Sequence, residues 1–268
     1  MANMIATREA YGEALKELGG LNKNIVVLDA DLSGSTKTSI FRKAYPERFF
    51  NVGIAEQNLI GTAAGLAAAG KIPFASTFAV FATGRAFEII RNSVCYPNLN
   101  VKIAATHAGL MVGEDGATHQ ALEDISIMRS LPNMVVLNPA DAVETKQCIF
   151  KAAEHNGPVY IRLGRSKVPV IFDESYKFEI GKGVEVKEGN DITIIATGVM
   201  VEKAILASDE LIKEGISARV INMSTIKPID KDIIIKAANE TKGIITVEEH
   251  NVIGGLGSAV AEVITENR

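Results

Sequence analysis

The chain has 268 residues, with 28 Lys and Arg against 32 Asp and Glu, for a formal charge of −4. That length holds one large domain or two smaller ones with substantial cores. A content of 47% hydrophobic and 22% charged residues with only 8 Pro excludes fibrous and disordered classes. The mildly acidic balance gives no bulk attraction to nucleic acid or to an anionic membrane, so neither is expected as a partner.

The segment Met1 to Glu9 meets Arg8 and Glu9 early and has no apolar stretch of the kind a signal peptide needs. The longest charge-free stretches, after Glu56 and after Lys71, fall short of the roughly 18 to 20 residues of a membrane span. Cys95 and Cys148 form no C-x-x-C pair and are too few for a disulfide framework, so they read as buried thiols in a reducing compartment. The expected location is cytoplasmic.

In chain order, short β-branched runs alternate with longer helical stripes, which is the pattern of an α/β fold with mostly parallel sheets. Buried strands are expected at Ile25 to Leu28, Ile72 to Phe78, Val101 to Ala105, Met134 to Leu137 and Val159 to Leu163. Helices are expected near 4–18, 55–69, 85–95 and 141–155. These elements make a first domain over 1–165. The segment 166–187 carries Pro169, Gly181, Gly183 and scattered charge without a clean period, and reads as an interdomain linker. A second domain over 188–268 then runs strand Asp191 to Ala196, helix Val201 to Glu214 stopped by Gly215, strand Ala218 to Asn222, helix Asp230 to Asn239 and strand Ile244 to Val247, before a last helix opens at Gly257. Ending at Arg268, this unit is expected to be truncated. Both units are expected to be three-layer α/β domains.

Two of the four histidines lie in one glycine-rich stretch, Thr106 to Gln120, directly after an expected strand. Ligands of parallel α/β sheets bind outside the carboxyl ends of the strands, so a loop there bearing His107, Glu114, Asp115 and His119 suits a polar substrate. An acidic surface loop and a metal site are the competing readings, the second without ligand spacing to support it. Glu56, opening an apolar helix, either complements the helix dipole or is a carboxyl group whose apolar setting lets it share a proton with a ligand nitrogen. Phe78 and Phe81, three apart beyond a strand, fit a core as well as a pocket. Asp29 to Ser35 reads as a polar turn, in which the apolar Leu32 has no turn-forming reason to be. Gly255 to Val260 hints at a dinucleotide fingerprint, but it lies too far past its strand and lacks the third small residue. Close helix packing is the alternative there.

Together these segments resemble the C-terminal half of transketolase, a thiamine-diphosphate enzyme. The resemblance rests on Ala105-Thr106-His107, on Gly113-Glu114-Asp115-Gly116-Ala117-Thr118-His119-Gln120, on Arg129-Ser130-Leu131-Pro132-Asn133, and on Val247-Glu248-Glu249-His250 with Gly254-Gly255-Leu256-Gly257. It covers nearly the whole chain and is similar to the C-terminal subunit of split transketolases. The first domain would then be the pyrimidine-binding domain and the second the transketolase C-terminal domain.

The resemblance implies a role for each matching residue. Glu56 resembles the glutamate that hydrogen-bonds the cofactor's pyrimidine N1′ and promotes removal of the thiazolium C2 proton. Asp31 and Leu32 resemble the acidic neighbour and the bulky residue that keeps the cofactor bent, and Phe78 and Phe81 the aromatic walls of its pocket. No third pocket aromatic is found at Gly84. His107, Asp115 and His119 resemble residues that bond donor hydroxyls and shuttle protons, while Arg8, Ser35 and Arg165 resemble the group that holds the sugar phosphate.

The implied reaction transfers a two-carbon ketol unit from a ketose phosphate to an aldose phosphate through a thiamine-diphosphate enamine. The family's Gly-Asp-Gly motif for Mg²⁺ is absent, since the Asp115-Gly116 pair follows Glu114 and its pairing with Asn138 is forced. No metal site is therefore expected in this chain. Mg²⁺ and diphosphate contacts are expected from an N-terminal partner chain in an α2β2 assembly, with this chain self-associating as a dimer. The rival readings are a half of a 1-deoxyxylulose-5-phosphate synthase, a pyruvate or branched-chain dehydrogenase β subunit, and a non-catalytic interaction subunit of the same fold.

Overall fold

The computed structural model describes residues 3–267. A short strand β1 (Met4–Ala6) leads into α1 (Thr7–Leu21), followed by β2 (Ile25–Asp29), α2 (Ser33–Thr36), α3 (Ser39–Ala44), β3 (Phe49–Asn51) and α4 (Glu56–Ala68). Next come β4 (Ile72–Phe78), α5 (Ala79–Arg85), α6 (Phe87–Ile89), a π-helical turn over Ile90–Cys95, and β5 (Lys102–Thr106). The first domain closes with α7 (Asp124–Arg129), β6 (Val135–Leu137), α8 (Ala142–Glu154), β7 (Val159–Arg162) and β8 (Lys167–Pro169). Beyond it run β9 (Val184–Lys187), β10 (Ile192–Ala196), α9 (Met200–Lys213), β11 (Ala218–Asn222), β12 (Thr225–Lys227), α10 (Lys231–Glu240), β13 (Ile244–Val247) and α11 (Leu256–Asn267).

The larger sheet has the order β12-β6-β7-β5-β4-β2-β3, parallel except for the edge strand β12. Its central strands β2, β4 and β5 are apolar runs buried on both faces, as a sheet covered on each side requires. Tyr11, Leu15, Phe41, Phe74 and Ile149 pack between one face and α1, α3 and α8. On the other face Leu59, Ile60, Ile90, Ile103 and Met128 form a second core that continues without a break into Ile195, Ile221, Met223 and Leu256 of the second domain. The smaller sheet has the order β13-β10-β11-β9, with β9 antiparallel.

Two expectations change. Helical structure was expected from residue 85, but it begins at Ala79, with no capping or turn residue between it and the end of β4. The segment 166–187 is not an unstructured crossing. β8 pairs antiparallel with β1, Phe178 is buried, and β9 belongs to the smaller sheet. Asp141 explains part of this order: one oxygen caps α8 through the Glu144 N–H, and the other accepts the Ile171 and Phe172 N–H groups. Among the described residues, no helix is long and apolar enough to cross a membrane.

Candidate active site

The parallel strands β3, β2, β4, β5 and β7 deliver their carboxyl ends to one side of the larger sheet, and the residues singled out above lie there. The register sets Phe78 beside Thr106. His107, next in the chain, adopts φ +58 and lays its ring on Phe78, with centroids 3.8 Å apart. A left-handed histidine is uncommon and strained. Phe81, one helical turn beyond Phe78, stacks on it at 5.8 Å, and His119 meets Phe81 edge-on at 5.3 Å.

Arg8, on the first turn of α1, reaches across the strand ends and donates through Nη1 to the Ser35 carbonyl (2.8 Å) and to His107 Nε2 (3.3 Å). A guanidinium can only donate, so Nε2 is the acceptor and the imidazole proton sits on Nδ1, which donates to Thr106 Oγ1 at 2.8 Å. His107 is therefore neutral. Burial, reinforced by the charges of Arg8 and Arg165, pushes its pKa down to about 3. The Arg8 Nε is buried without a hydrogen-bond partner.

Glu56 opens α4 and is 5% exposed. Its partner is Arg85, whose Nη1 lies 3.0 Å from the carboxylate while its guanidinium covers the Phe81 ring at 4.2 Å. Phe81 and Arg85 are four residues apart on α5, hence on one helix face. Contacts thus run unbroken from Ser35 through Arg8, His107, Phe78, Phe81 and Arg85 to Glu56. A depression of about 470 Å³ opens over Glu56, lined by Ile54, Ala55, Gln57, Asn58 and Arg85.

Other expected residues stand beside this chain of contacts. Asp31 is exposed at φ +65 and pairs reciprocally with Asn51, accepting from Nδ2 at 2.9 Å. Leu32 is half-buried, and its N–H donates to Asp29 Oδ1 at 2.6 Å. The second oxygen of Asp29 takes the Thr36 and Thr38 hydroxyls, and burial raises the Asp29 pKa. Ser35 enters through its carbonyl. Arg165 donates to the Val112 carbonyl and, at 2.6 Å, to the Glu114 carboxylate. Asp115 is exposed, near enough for its charge to act on both Arg8 and Arg165.

Sequence reasoning missed Arg85, Thr106 and Asp29. Only the four-residue spacing from Phe81 to Arg85 carried a signal. Among the described residues no group of three or more His, Cys, Asp or Glu side chains is arranged to hold a metal. Asn138 is buried at the domain junction against Gly198. At the fingerprint-like Gly255 to Val260 the Glu248 carboxylate occupies the start of α11, where a dinucleotide phosphate would lie, accepting the Leu256 and Gly257 N–H groups at 2.7 and 2.9 Å.

Comparison with known proteins matches residues 3–170 to the transketolase pyrimidine-binding domain and 181–268 to the transketolase C-terminal domain. A transketolase C-terminal section from Methanocaldococcus jannaschii is 58% identical over 97% of this chain and 82% of its own length. Among solved structures, a split-gene transketolase described as an inactive β4 tetramer superposes with a TM-score of 0.92 at 64% identity, over 98% of this chain and 85% of that one. The transketolase of Pichia stipitis in complex with sedoheptulose 7-phosphate gives a TM-score of 0.83 at 27% identity, over 94% of this chain and 40% of that one. With both domains matched in order, the chain belongs to the transketolase family and corresponds to the C-terminal section of a split transketolase.

Proposed function

We propose that this chain supplies the pyrimidine-binding and sugar-binding half of a transketolase active site, and that an N-terminal partner chain supplies the diphosphate and Mg²⁺ contacts. The observation that carries this reading is the unbroken contact path from Arg8 through His107 and the Phe78/Phe81 pair to the buried Glu56. Membership of the family implies use of thiamine diphosphate, which supplies a nucleophilic carbon when bound.

The residues fit that cofactor's pyrimidine end. Glu56 is buried under an open depression and can hold a proton for a ring nitrogen, which would take the place of the exposed Arg85 guanidinium. Phe78 and Phe81 offer an aromatic wall, and Leu32 with Asp31, in the turn after β2, would hold the cofactor bent. His107 would offer Nε2 as an acceptor to a substrate hydroxyl that displaces the Arg8 N–H now bonded to it, while His119 and Asp115 complete a polar rim that orients the sugar. Arg8, Arg165 and the Ser35 turn collect positive charge and donors at one end, where a phosphate would lie.

The assembly proposed is α2β2, with self-association of this chain bringing each half-site against its partner. The related β4 tetramer is described as inactive, which accords with a half-site that needs a second kind of chain. The test is reconstitution with the N-terminal chain, thiamine diphosphate and Mg²⁺. Ketol transfer from xylulose 5-phosphate is expected, with none from this chain alone. Pyruvate decarboxylation without ketol transfer, or full activity of the isolated chain, overturns the proposal.

A further inference from the structure

Between His107 and His119 the chain makes a long excursion beyond the end of β5, and the floor under it comes from the second domain. Glu249, in the turn after β13, is 8% exposed. Its carboxylate accepts the N–H groups of Leu110 and Met111. Gly109 sits directly on this carboxylate at φ +81, and a Cβ there would come within 2.2 Å of Glu249 Cδ. Only glycine combines that backbone angle with that approach.

The turn bearing Glu249 is itself clamped to the first domain. Arg162, buried and paired with Asp124, donates through Nη2 to the Glu249 carbonyl at 2.9 Å. Asn251 donates its N–H to the Leu122 carbonyl at 2.9 Å. His250 Nε2 accepts the Ser126 N–H at 3.4 Å, and its Nδ1 donates to the Asn251 carbonyl. From Leu110 the order passes onward: Gln120, beside His119, donates through Nε2 to the Leu110 carbonyl at 3.2 Å. Arg165 holds the Val112 carbonyl.

We infer that Glu249 is a positioning residue: a carboxylate of the second domain that fixes the Gly109 to Val112 segment, and through Gln120 and Arg165 sets where Asp115 and His119 stand relative to His107. The inference rests on the reading of these histidines as substrate-facing. It gives the second domain a part in sugar binding through its hold on a loop of the first. A rigid support of this kind acts on alignment more than on the chemical groups themselves.

The experiment uses the reconstituted complex with its partner chain, thiamine diphosphate and Mg²⁺, comparing Glu249→Ala, Glu249→Gln and the unaltered protein. Glu249→Ala is expected to raise the donor KM at least tenfold, with cofactor C2 proton exchange within twofold of normal. Amide hydrogen exchange at Leu110 and Met111 is expected to quicken at least tenfold. Glu249→Gln, whose carbonyl still accepts one of the two N–H groups, is expected to fall between. Unchanged amide exchange in both variants overturns the inference, and so does a donor KM within twofold of normal despite quickened exchange. If C2 exchange falls in proportion to turnover, Glu249 is a general structural residue and the inference is again overturned. Absence of ketol transfer in the unaltered complex refutes the functional reading instead, and amide exchange at Leu110 and Met111 then decides whether Glu249 holds the loop.

Discussion

Asp124→Ala removes the acceptor for one of the most buried cations in the protein. Asp124 is fully buried and Arg162 is 4% exposed, with Nε at 2.8 Å from Oδ2 and Nη2 at 3.2 Å from Oδ1. The Tyr160 hydroxyl donates to the same carboxylate at 2.7 Å. Breaking one side of such a pair strands a charge away from water and costs about 3–5 kcal/mol, against about 0–1 for a surface pair. At roughly 2–4 °C per kcal/mol for a chain of this size, the melting temperature should drop by about 10 °C. Urea denaturation gives the free energy directly.

The control is the double substitution Asp124→Leu with Arg162→Met. Replacing both charges by apolar groups removes the stranded cation; what it leaves unpaired is neutral, the Tyr160 hydroxyl and the Ala121 and Glu249 carbonyls that Arg162 held, and a neutral group costs less to strand than a charge. The double variant should therefore be more stable than Asp124→Ala alone. A loss below about 1 kcal/mol in the single variant, or a double variant no more stable than it, would refute the account of this site as a desolvated, mutually dependent pair.

Glu56→Gln in the reconstituted complex should slow cofactor C2 proton exchange by about two orders of magnitude or more while thermal unfolding stays nearly unchanged; normal exchange would remove Glu56 from the cofactor site. Arg85→Ala leaves the 5%-exposed Glu56 carboxylate without its ion-pair partner, so it should cost about 1–3 kcal/mol of stability while leaving cofactor affinity undiminished. Weaker cofactor binding in calorimetric titration would make Arg85 a ligand contact instead of a displaceable cover. His107 should show no ring titration by NMR between pH 5 and 8, because burial and nearby cations hold its pKa at about 3. Since the fold disfavours the protonated ring, the stability it carries is complete above the range of a free imidazole and is lost as the pH falls toward 3. A midpoint above pH 6 would contradict the packing of His107 on Phe78.

The strands at Ile72 to Phe78, Ala218 to Asn222 and Ile244 to Val247 were legible because each is a short apolar run with turn residues near its ends. β1, β8 and β12 were not. Each has three residues, and its pairing depends on a distant partner: Met4 finds Pro169, and Thr225 finds Leu137. His107 and His119 were legible because their glycine-rich stretch follows directly on a strand, at the carboxyl end where parallel sheets bind ligands. Arg85 has no such local mark, and Thr106 and Glu249, though they stand in motifs that carry the resemblance, show nothing in sequence of the contacts they make. Arg85 reads as an ordinary surface cation until α5 turns it onto Phe81, and Glu249 acts on residues about 140 positions earlier in the chain.

The edge strand β12 has a practical consequence for dissecting this protein. A fragment ending near residue 170 keeps every residue of the candidate site discussed above yet leaves β6 with a naked ladder of backbone donors and acceptors, an invitation to pair with the next molecule. Such a fragment should precipitate or form ill-defined oligomers, whatever its affinity for small ligands. Domain exchanges between relatives must therefore carry residues 225–227 along with the first unit, because the border in space runs through the second half of the sequence.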